Sequence, residues 1–405
     1  MSDDFTVRTL AEALAGFRPA HVTTPRRVAL AGAAGLAAAR DVHSPRDLPG
    51  FTRSAVDGYA VRSVDTRAAR EDAPGLLDVV GAVRIGHESG HVLATGQAIE
   101  IPTGGAVPAG ADAVVMIEHT APAGGDRIAL RRPARPGDNV VKRDDDVASG
   151  GLLIRAGRAV RPHDVGLLAS AGVTELELHP MPLVAIVSTG DELVAAEREP
   201  GAAEVRDANA PALAALVAEL GGAPVAMGIV PDDPAALEDV CREALGGCDL
   251  LVISAGSSVG TRDATAAVVA RLGSPGIWCH GLSIRPGRPT LLAEVMGRPL
   301  IGLPGNPVSA LVVMRLIAGH LIARLSGRDR PSPQPVSRAT LASAIASAAG
   351  RLDVVQVALQ GDLATPLFGK AARLSVLGRA DGYVLVPEAV TELPEGTRVE
   401  VELYR

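Results

Sequence analysis

The sequence predicts an α/β multidomain protein, with a parallel-sheet domain in the middle and β-rich segments on either side. Three observations carry that reading. Between residues 183 and about 327, apolar strand-like runs alternate with helix-like stretches, the order expected of a parallel sheet with crossover helices. Before that stretch, short β-like runs are cut repeatedly by glycine and proline. After PSPQP (331–335), which reads as a linker, the runs RLDVVQVAL, GYVLVPEAV and TRVEVELYR are separated by turn residues, as in a small β domain.

In chain order, TLAEALAGF and then RRVALAGAAGLAAARDV show helical periodicity, followed by the β-like runs LLDVVGAVRIG and ADAVVMIEH. LVAIVS reads as a strand, and DANAPALAALVAELGG as a helix with a polar start and a Gly-Gly stop. PVAMGIV is a strand, and DDPAALEDVCREALGG is a helix with Pro234 in its first turn. DLLVISAG, ATAAVVARLG, LIGLPG and NPVSALVVMRLIAGHLIARL continue the alternation.

Composition narrows the function. A chain of 405 residues with 21% charged and 47% apolar residues has the balance of a globular protein large enough for several domains. A net charge of -7 with 2% aromatics argues against a nucleic-acid binder, so no nucleic acid is expected as a partner. Cys241, Cys248 and Cys279 have no C-x-x-C spacing, which points away from a zinc site or a disulfide framework. No apolar run approaches 18 residues free of charge and the start MSDDFTVRTL lacks a signal-peptide pattern. A cytoplasmic protein without a membrane partner is expected.

In open α/β sheets, ligands bind outside the carboxyl ends of the strands. Here those ends are followed by TGDEL (189–193), PDD (231–233), AGSSVGTRD (255–263) and PGNPVS (304–309). Such turns offer backbone N–H groups to anions, from the glycine-rich stretch Gly256, Ser257, Ser258 and Gly260 and from the helix start at Asn306, while Gly305 after Pro304 allows close backbone approach. They also offer the carboxylates Asp191, Glu192, Asp232, Asp233 and Asp263. Amides for phosphate beside carboxylates for a divalent ion is the combination of a Mg²⁺–phosphate site. The glycine loop matches neither G-x-G-x-x-G nor the Walker A pattern. Asp191 (or Thr189), one of Asp232 and Asp233, and Asp263 have a plainer role as helix or turn caps, and Asn306 with Pro307 reads as a cap followed by a first helical position. IRPGRP sets Arg285 and Arg288 around a tight turn, suited to phosphate or carboxylate. SAVDGYAV places Asp57 in a turn, and NVVKRDDDV sets Lys142 and Arg143 before three aspartates. No nucleophile elbow or H-E-x-x-H is present, which argues against covalent catalysis and a zinc hydrolase.

The ordered set LPGFTRSAVDGYAV, IPTGGAVPAGADAVV, NVVKRDDDV, STGDELV, SAGSSVGTRD, IRPGRP and IGLPGNPVSALV resembles the molybdopterin molybdenumtransferase family, called MoeA in bacteria and similar to the gephyrin E domain. The resemblance extends to SVLGRADGYVLVPE near the C-terminus. It implies an N-terminal linking region, 1–180, with an inserted β-rich domain at about 50–145. It also implies an α/β molybdopterin-binding domain at 181–329 and a C-terminal β-barrel at 334–405. The implied reaction takes adenylylated molybdopterin and molybdate, inserts the metal into the dithiolene and releases AMP with Mg²⁺ assisting. The implied assembly is a homodimer whose site joins the α/β domain of one subunit to N-terminal segments of the other, with a molybdopterin adenylyltransferase as a further partner. By motif, the resemblance assigns catalytic roles to Asp57, Glu192, Asp232 and Asp263, and metal binding to Asp57, Glu192, Asp232 and Asp146. Substrate contacts fall on Thr103, Arg143, Gly256, Ser257, Ser258, Gly260, Arg285, Arg288, Pro304, Gly305, Asn306 and Arg351. The chain departs from the family pattern at Thr52, Arg53 and Ser257, at Gly281, Arg285 and Arg288 where lysines are usual, and at GKAAR (369–373). Those departures leave one alternative, a paralogue that carries molybdopterin or a partner without catalysis; the shared α/β domain leaves another, a molybdopterin adenylyltransferase.

Overall fold

The protein is described by a computed structural model covering residues 7–255, 259–369 and 373–404, with the side chains of 259–263 outside the described set. At the N-terminus the helix Leu10–Gly16 forms as its periodicity predicts. Thr9 and Glu12 make a reciprocal cap, Oγ1 accepting from the Glu12 N–H and the Glu12 carboxylate from the Thr9 N–H.

The helix expected over RRVALAGAAGLAAARDV does not form. Arg26–Ala29 is a strand paired antiparallel with Glu175–His179, Leu30–Gly32 is one 3₁₀ turn, and Ala37–Ala38 pairs with the other edge of Glu175–His179. Alanine's helix propensity amounts to only tenths of a kcal/mol per residue. It yields to this pairing, and to Gly35, whose φ of +84° no helix tolerates. A helix not singled out from the sequence, Pro162–Ala171, closes the same lobe, with Asp164 taking the Arg161 N–H at its start. The runs LLDVVGAVRIG and ADAVVMIEH become the strands Gly75–Ala82 and Ala113–Met116 of a six-stranded sheet.

In the central domain the sheet runs in the order Ala223–Val230, Leu183–Thr189, Leu250–Ala255, Arg298–Leu303, Leu291–Val295, Pro275–His280. The first four are parallel, and the last two, which the sequence pattern did not separate, are antiparallel. Side chains alternate between two cores. Val184, Ile186, Leu250 and Val252 face the helices Asn209–Glu219 and Pro307–Leu325. Ala185, Val187, Leu251 and Ile253 face Pro234–Gly247 and the following helix Val259–Leu272. Continuous apolar strands are what two covered faces require. Pro307–Leu325 is long and apolar enough to span a membrane, but 72% of that stretch is buried inside the protein, so its apolarity serves the core.

Below the sheet, at the amino ends of the strands, His21, Asp249 and Arg298 meet. Asp249 Oδ1 lies 2.7 Å from His21 Nε2 and 3.0 Å from Arg298 Nη1, and Oδ2 accepts the Leu183 N–H. This cluster ties the N-terminal segment to the domain at the end opposite the binding turns. After an irregular stretch at 331–335, five strands close on themselves: Leu352–Gln360, Leu363–Pro366, Val336–Leu341, Arg398–Leu403 and Gly382–Val386, the last returning to the first. That ring is the predicted C-terminal β-barrel.

Candidate active site

Because the four parallel strands share one direction, TGDEL, PDD and PGNP emerge at the same edge of the sheet. Chain order reverses between Leu183–Thr189 and Leu250–Ala255, the crevice position at which such sheets bind ligands. Gly256, Ser257, Ser258 and the Gly260 and Asp263 side-chain positions lie outside the described residues.

At the first turn, Thr189 Oγ1 donates to Asp232 Oδ1 at 3.0 Å, and Asp191 Oδ1 accepts the Asp232 N–H at 3.0 Å. The two acidic turns are thereby locked together. Glu192 is exposed and folds back over Gly190, where an added Cβ would lie 2.7 Å from Glu192 Oε2. The next pair divides its labour: Asp233 caps Pro234–Gly247 by accepting the Ala235 and Ala236 N–H groups, and Asp232 takes no part in the cap.

PGNP is positioned by a residue that the sequence reading passed over as a polar helix start. Asn209 is buried, and its Nδ2 donates to Ser254 Oγ at 2.8 Å and to the Gly305 carbonyl at 2.9 Å. One side chain thus joins the ends of two strands. Asp207 fixes it in turn by accepting the Asn209 and Ala210 N–H groups. Asn306 occupies the N-cap position and Pro307 the first helical position, as expected, yet the Asn306 side chain makes no capping bond. Its backbone carbonyl accepts the first helical hydrogen bond, from the Ala310 N–H.

Beside this edge, a cleft of about 1260 Å³ opens between the α/β domain and the barrel. Arg285, Arg288, Ser309 and Arg351 line it. The distant arginines 285 and 351 meet because Ile284–Arg285 pairs in parallel with Leu352 and Asp353 of the barrel. Asp353 is 3% exposed and accepts from Arg351 Nε at 2.8 Å and Nη2 at 3.4 Å, with Arg285 Nη1 at 3.9 Å from Oδ2. The buried carboxylate fixes the Arg351 guanidinium through two hydrogen bonds and draws the more exposed Arg285 toward it, and both arginines line the cleft. Gly281 has φ +122°, in the region that favours glycine, and an added Cβ would stand 3.1 Å from Val7 Cγ2. The missing lysine there accompanies a backbone that a side chain would strain.

The remaining candidates belong to the N-terminal lobe. Asp57 Oδ1 accepts both the backbone N–H of Thr103 at 2.7 Å and its hydroxyl at 2.9 Å. These two bonds, the backbone one first, hold the exposed carboxyl below its ordinary range. Gly58 follows because a Cβ at that point would lie 2.0 Å from the Val115 carbonyl oxygen. Arg143 Nε donates to Asp47 at 2.6 Å, and Asp47 also takes the Ser149 N–H at 2.8 Å, an anchor that sequence motifs did not reveal. The Ser149 N–H and then Arg143 lower the Asp47 pKa. Asp146 is exposed nearby, its N–H bonded to the Leu48 carbonyl. Among the described residues, no hydrogen bond or ion pair joins Asp57, Thr103, Arg143 or Asp146 to the turns of the α/β domain. No cluster of three or more metal-ligating side chains occurs among the described residues either.

Three family models cover the chain: MoeA N-terminal region (domain I and II) at residues 8–172, probable molybdopterin binding domain at 185–324, and MoeA C-terminal region (domain IV) at 338–404. A Mycobacterium tuberculosis protein named molybdopterin molybdenumtransferase 2 is 33% identical over 401 residues, covering 97% of both chains. The molybdopterin molybdenumtransferase of Haemophilus influenzae is 31% identical over 371 residues, covering 88% of this chain and 90% of its own. A crystal structure of the MoeA protein of Pyrococcus horikoshii superposes with a TM-score of 0.83 at 35% identity, covering 98% of this chain and 99% of that one. With all three parts matched, and relatives above 30% identity matched from end to end, this chain belongs to the molybdopterin molybdenumtransferase (MoeA) family.

Proposed function

We propose that the chain is a transferase of molybdenum cofactor biosynthesis that takes adenylylated molybdopterin and molybdate and releases AMP. The observation that carries this reading is the cleft lined by Arg285, Arg288 and Arg351 together with Val308 and Ser309 of the helix that follows the PGNP turn. Guanidinium groups beside backbone amides suit a substrate made of phosphates and an oxyanion. Breaking the phosphoanhydride leaves negative charge on the departing AMP phosphate, and cationic groups held in advance offset it without rearranging. The relatives cited are named as transferases and the flanking domains match as well, so the adenylyltransferase and non-catalytic alternatives have no finding behind them.

Mg²⁺ belongs to this proposal. The exposed Asp191–Asp232 pair and Glu192 supply hard oxygen donors at the strand ends, which suits an ion that takes one or two carboxylates and completes its shell with water and phosphate. Once bound, Mg²⁺ would polarise the phosphoanhydride. That no hydrogen bond or ion pair joins the Asp57–Thr103 pair to those turns among the described residues supports a homodimer in which each site takes its α/β edge from one subunit and Asp57 from the other. A cytoplasmic location and exchange of substrate with an adenylyltransferase complete the reading.

The test is AMP release from adenylylated molybdopterin with Mg²⁺ and molybdate. Release that requires molybdate and stops with EDTA is expected; release indifferent to molybdate refutes the transferase reading. Mixing inactive Asp57→Asn and Asp232→Asn variants examines the shared site. Recovered activity is expected if one intact site can form from two subunits, and none is expected if each subunit holds a complete site.

A further inference from the structure

A second cavity, of about 310 Å³, lies away from the candidate active site and shares no lining residue with the cleft. Its size falls at the lower end of small-molecule sites. Three distant chain segments build it: the end of the Leu10–Gly16 helix with the residues that follow, the Gly319–Leu325 helix, and the start of the linker to the barrel. Its floor is apolar, with Phe17 and Leu321 only 6% and 4% exposed.

Around that floor stand four arginines, Arg18, Arg324, Arg328 and Arg330, against the single carboxylate of Asp329. Four positive charges less one negative leave +3 at the cavity, in a chain whose net charge is -7. Among the described residues none of the four arginines takes part in an ion pair. Three are anchored by backbone carbonyls: Arg18 Nε to Ala15 at 2.8 Å, Arg324 Nε to Pro19 at 2.7 Å and Arg328 Nη2 to Gly35 at 2.7 Å. Arg328 Nη1 reaches Ser332 Oγ at 3.4 Å, and its buried Nε has no partner. Burial also pushes the Arg328 guanidinium below its ordinary pKa, because desolvation disfavours its charged form. Like charges gathered at a partly desolvated cavity repel one another, and an anion between them relieves that repulsion.

We propose that this cavity is a binding site for a phosphorylated small molecule with an apolar or planar body, the phosphate held by the arginines and the body resting on Phe17 and Leu321. The site stands apart from the transferase reaction, and its test does not measure that activity. Isothermal titration of the full chain with ADP at constant ionic strength is the experiment, in the native protein and in an Arg351→Gln background that weakens the cleft. One ADP equivalent per chain is expected to survive Arg351→Gln. The same equivalent should weaken by roughly tenfold or more in R18E/R330E, the loss expected when charge-assisted hydrogen bonds to phosphate are removed. R18K/R330K should retain binding, because it keeps the charge on two side chains that no ion pair holds in place. ADP binding unchanged in R18E/R330E, or abolished by Arg351→Gln alone, overturns the proposal. Pyrophosphate should bind more weakly than ADP, and equal affinity removes the role assigned to Phe17 and Leu321.

Discussion

Replacing Asn209 by alanine should loosen the binding edge and destabilise the α/β domain together. The side chain donates to Ser254 Oγ at 2.8 Å and Gly305 O at 2.9 Å from a position 9% exposed. Each neutral hydrogen bond contributes about 1 kcal/mol, and an acceptor left unpaired and buried costs about 1–3 kcal/mol more. Against this, Asn209 Oδ1 is itself buried without a partner, and its removal returns part of that cost. The net expectation is about 2 kcal/mol. With a urea dependence of about 2 kcal/mol per molar, the midpoint falls by about 1 M. The chain's one tryptophan is a convenient reporter: Trp278 lies in the Pro275–His280 strand of the same sheet and packs on Phe17 at 5.7 Å between ring centroids. Its fluorescence follows this domain in a chain whose several parts need not unfold as one. A midpoint within about 0.2 M of the native protein, at unchanged slope, would refute the account of Asn209 as the clasp between the two strand ends.

Asp57→Asn, with the two Thr103 donors left in place, should lower AMP release by on the order of 100-fold. Thr103 sets the folded-state pKa of Asp57 below the ordinary 3.8, so the benefit of its ionised form is present above that value. It is lost only as pH falls through the lower folded value, and the native rate should show no acid limb from Asp57 between about pH 5 and pH 8. Gly58→Ala should cost about 1–3 kcal/mol or more in thermal unfolding, because the added Cβ meets a backbone carbonyl that cannot swing aside. Burial pushes the Cys279 thiol up to about 11 and Cys241 up to about 12, with Cys248 raised as well. All three should therefore resist a thiol-specific chromogen in the native protein and react on unfolding; rapid native labelling would contradict their burial. Because these folded values lie above the ordinary 9.0, their stabilising effect is full below that pH and fades as pH rises toward 11–12.

The sequence by itself determined the α/β alternation, the turns at 189–193, 231–233 and 304–309, and a small β domain at the C-terminus. That the strands of this domain close into a barrel was implied by the family resemblance and is decided by long-range pairing. The features legible in the sequence are local: a two-residue period, a proline at a first helical position, a glycine at a turn. The same local logic failed at RRVALAGAAGLAAARDV, where weak helix propensity lost to pairing with a strand about 150 residues downstream. It also could not divide Asp232 from Asp233, since both precede a helix and only the fold shows which one turns back to the amides. Asn209, Asp47 and Asp353 were illegible for another reason. Asn209 reaches partners 45 and 96 residues away, Asp47 partners 96 and 102 away, and Asp353 faces Arg285 68 residues away, and nothing in the neighbouring sequence marks such an amide or carboxylate as a clasp. Arg285 and Arg351 became one cleft only through two residues of parallel pairing between domains. Residue types and spacing decide which chemistry a chain can offer; long-range packing, which is cooperative and non-local, decided which of those groups face one another.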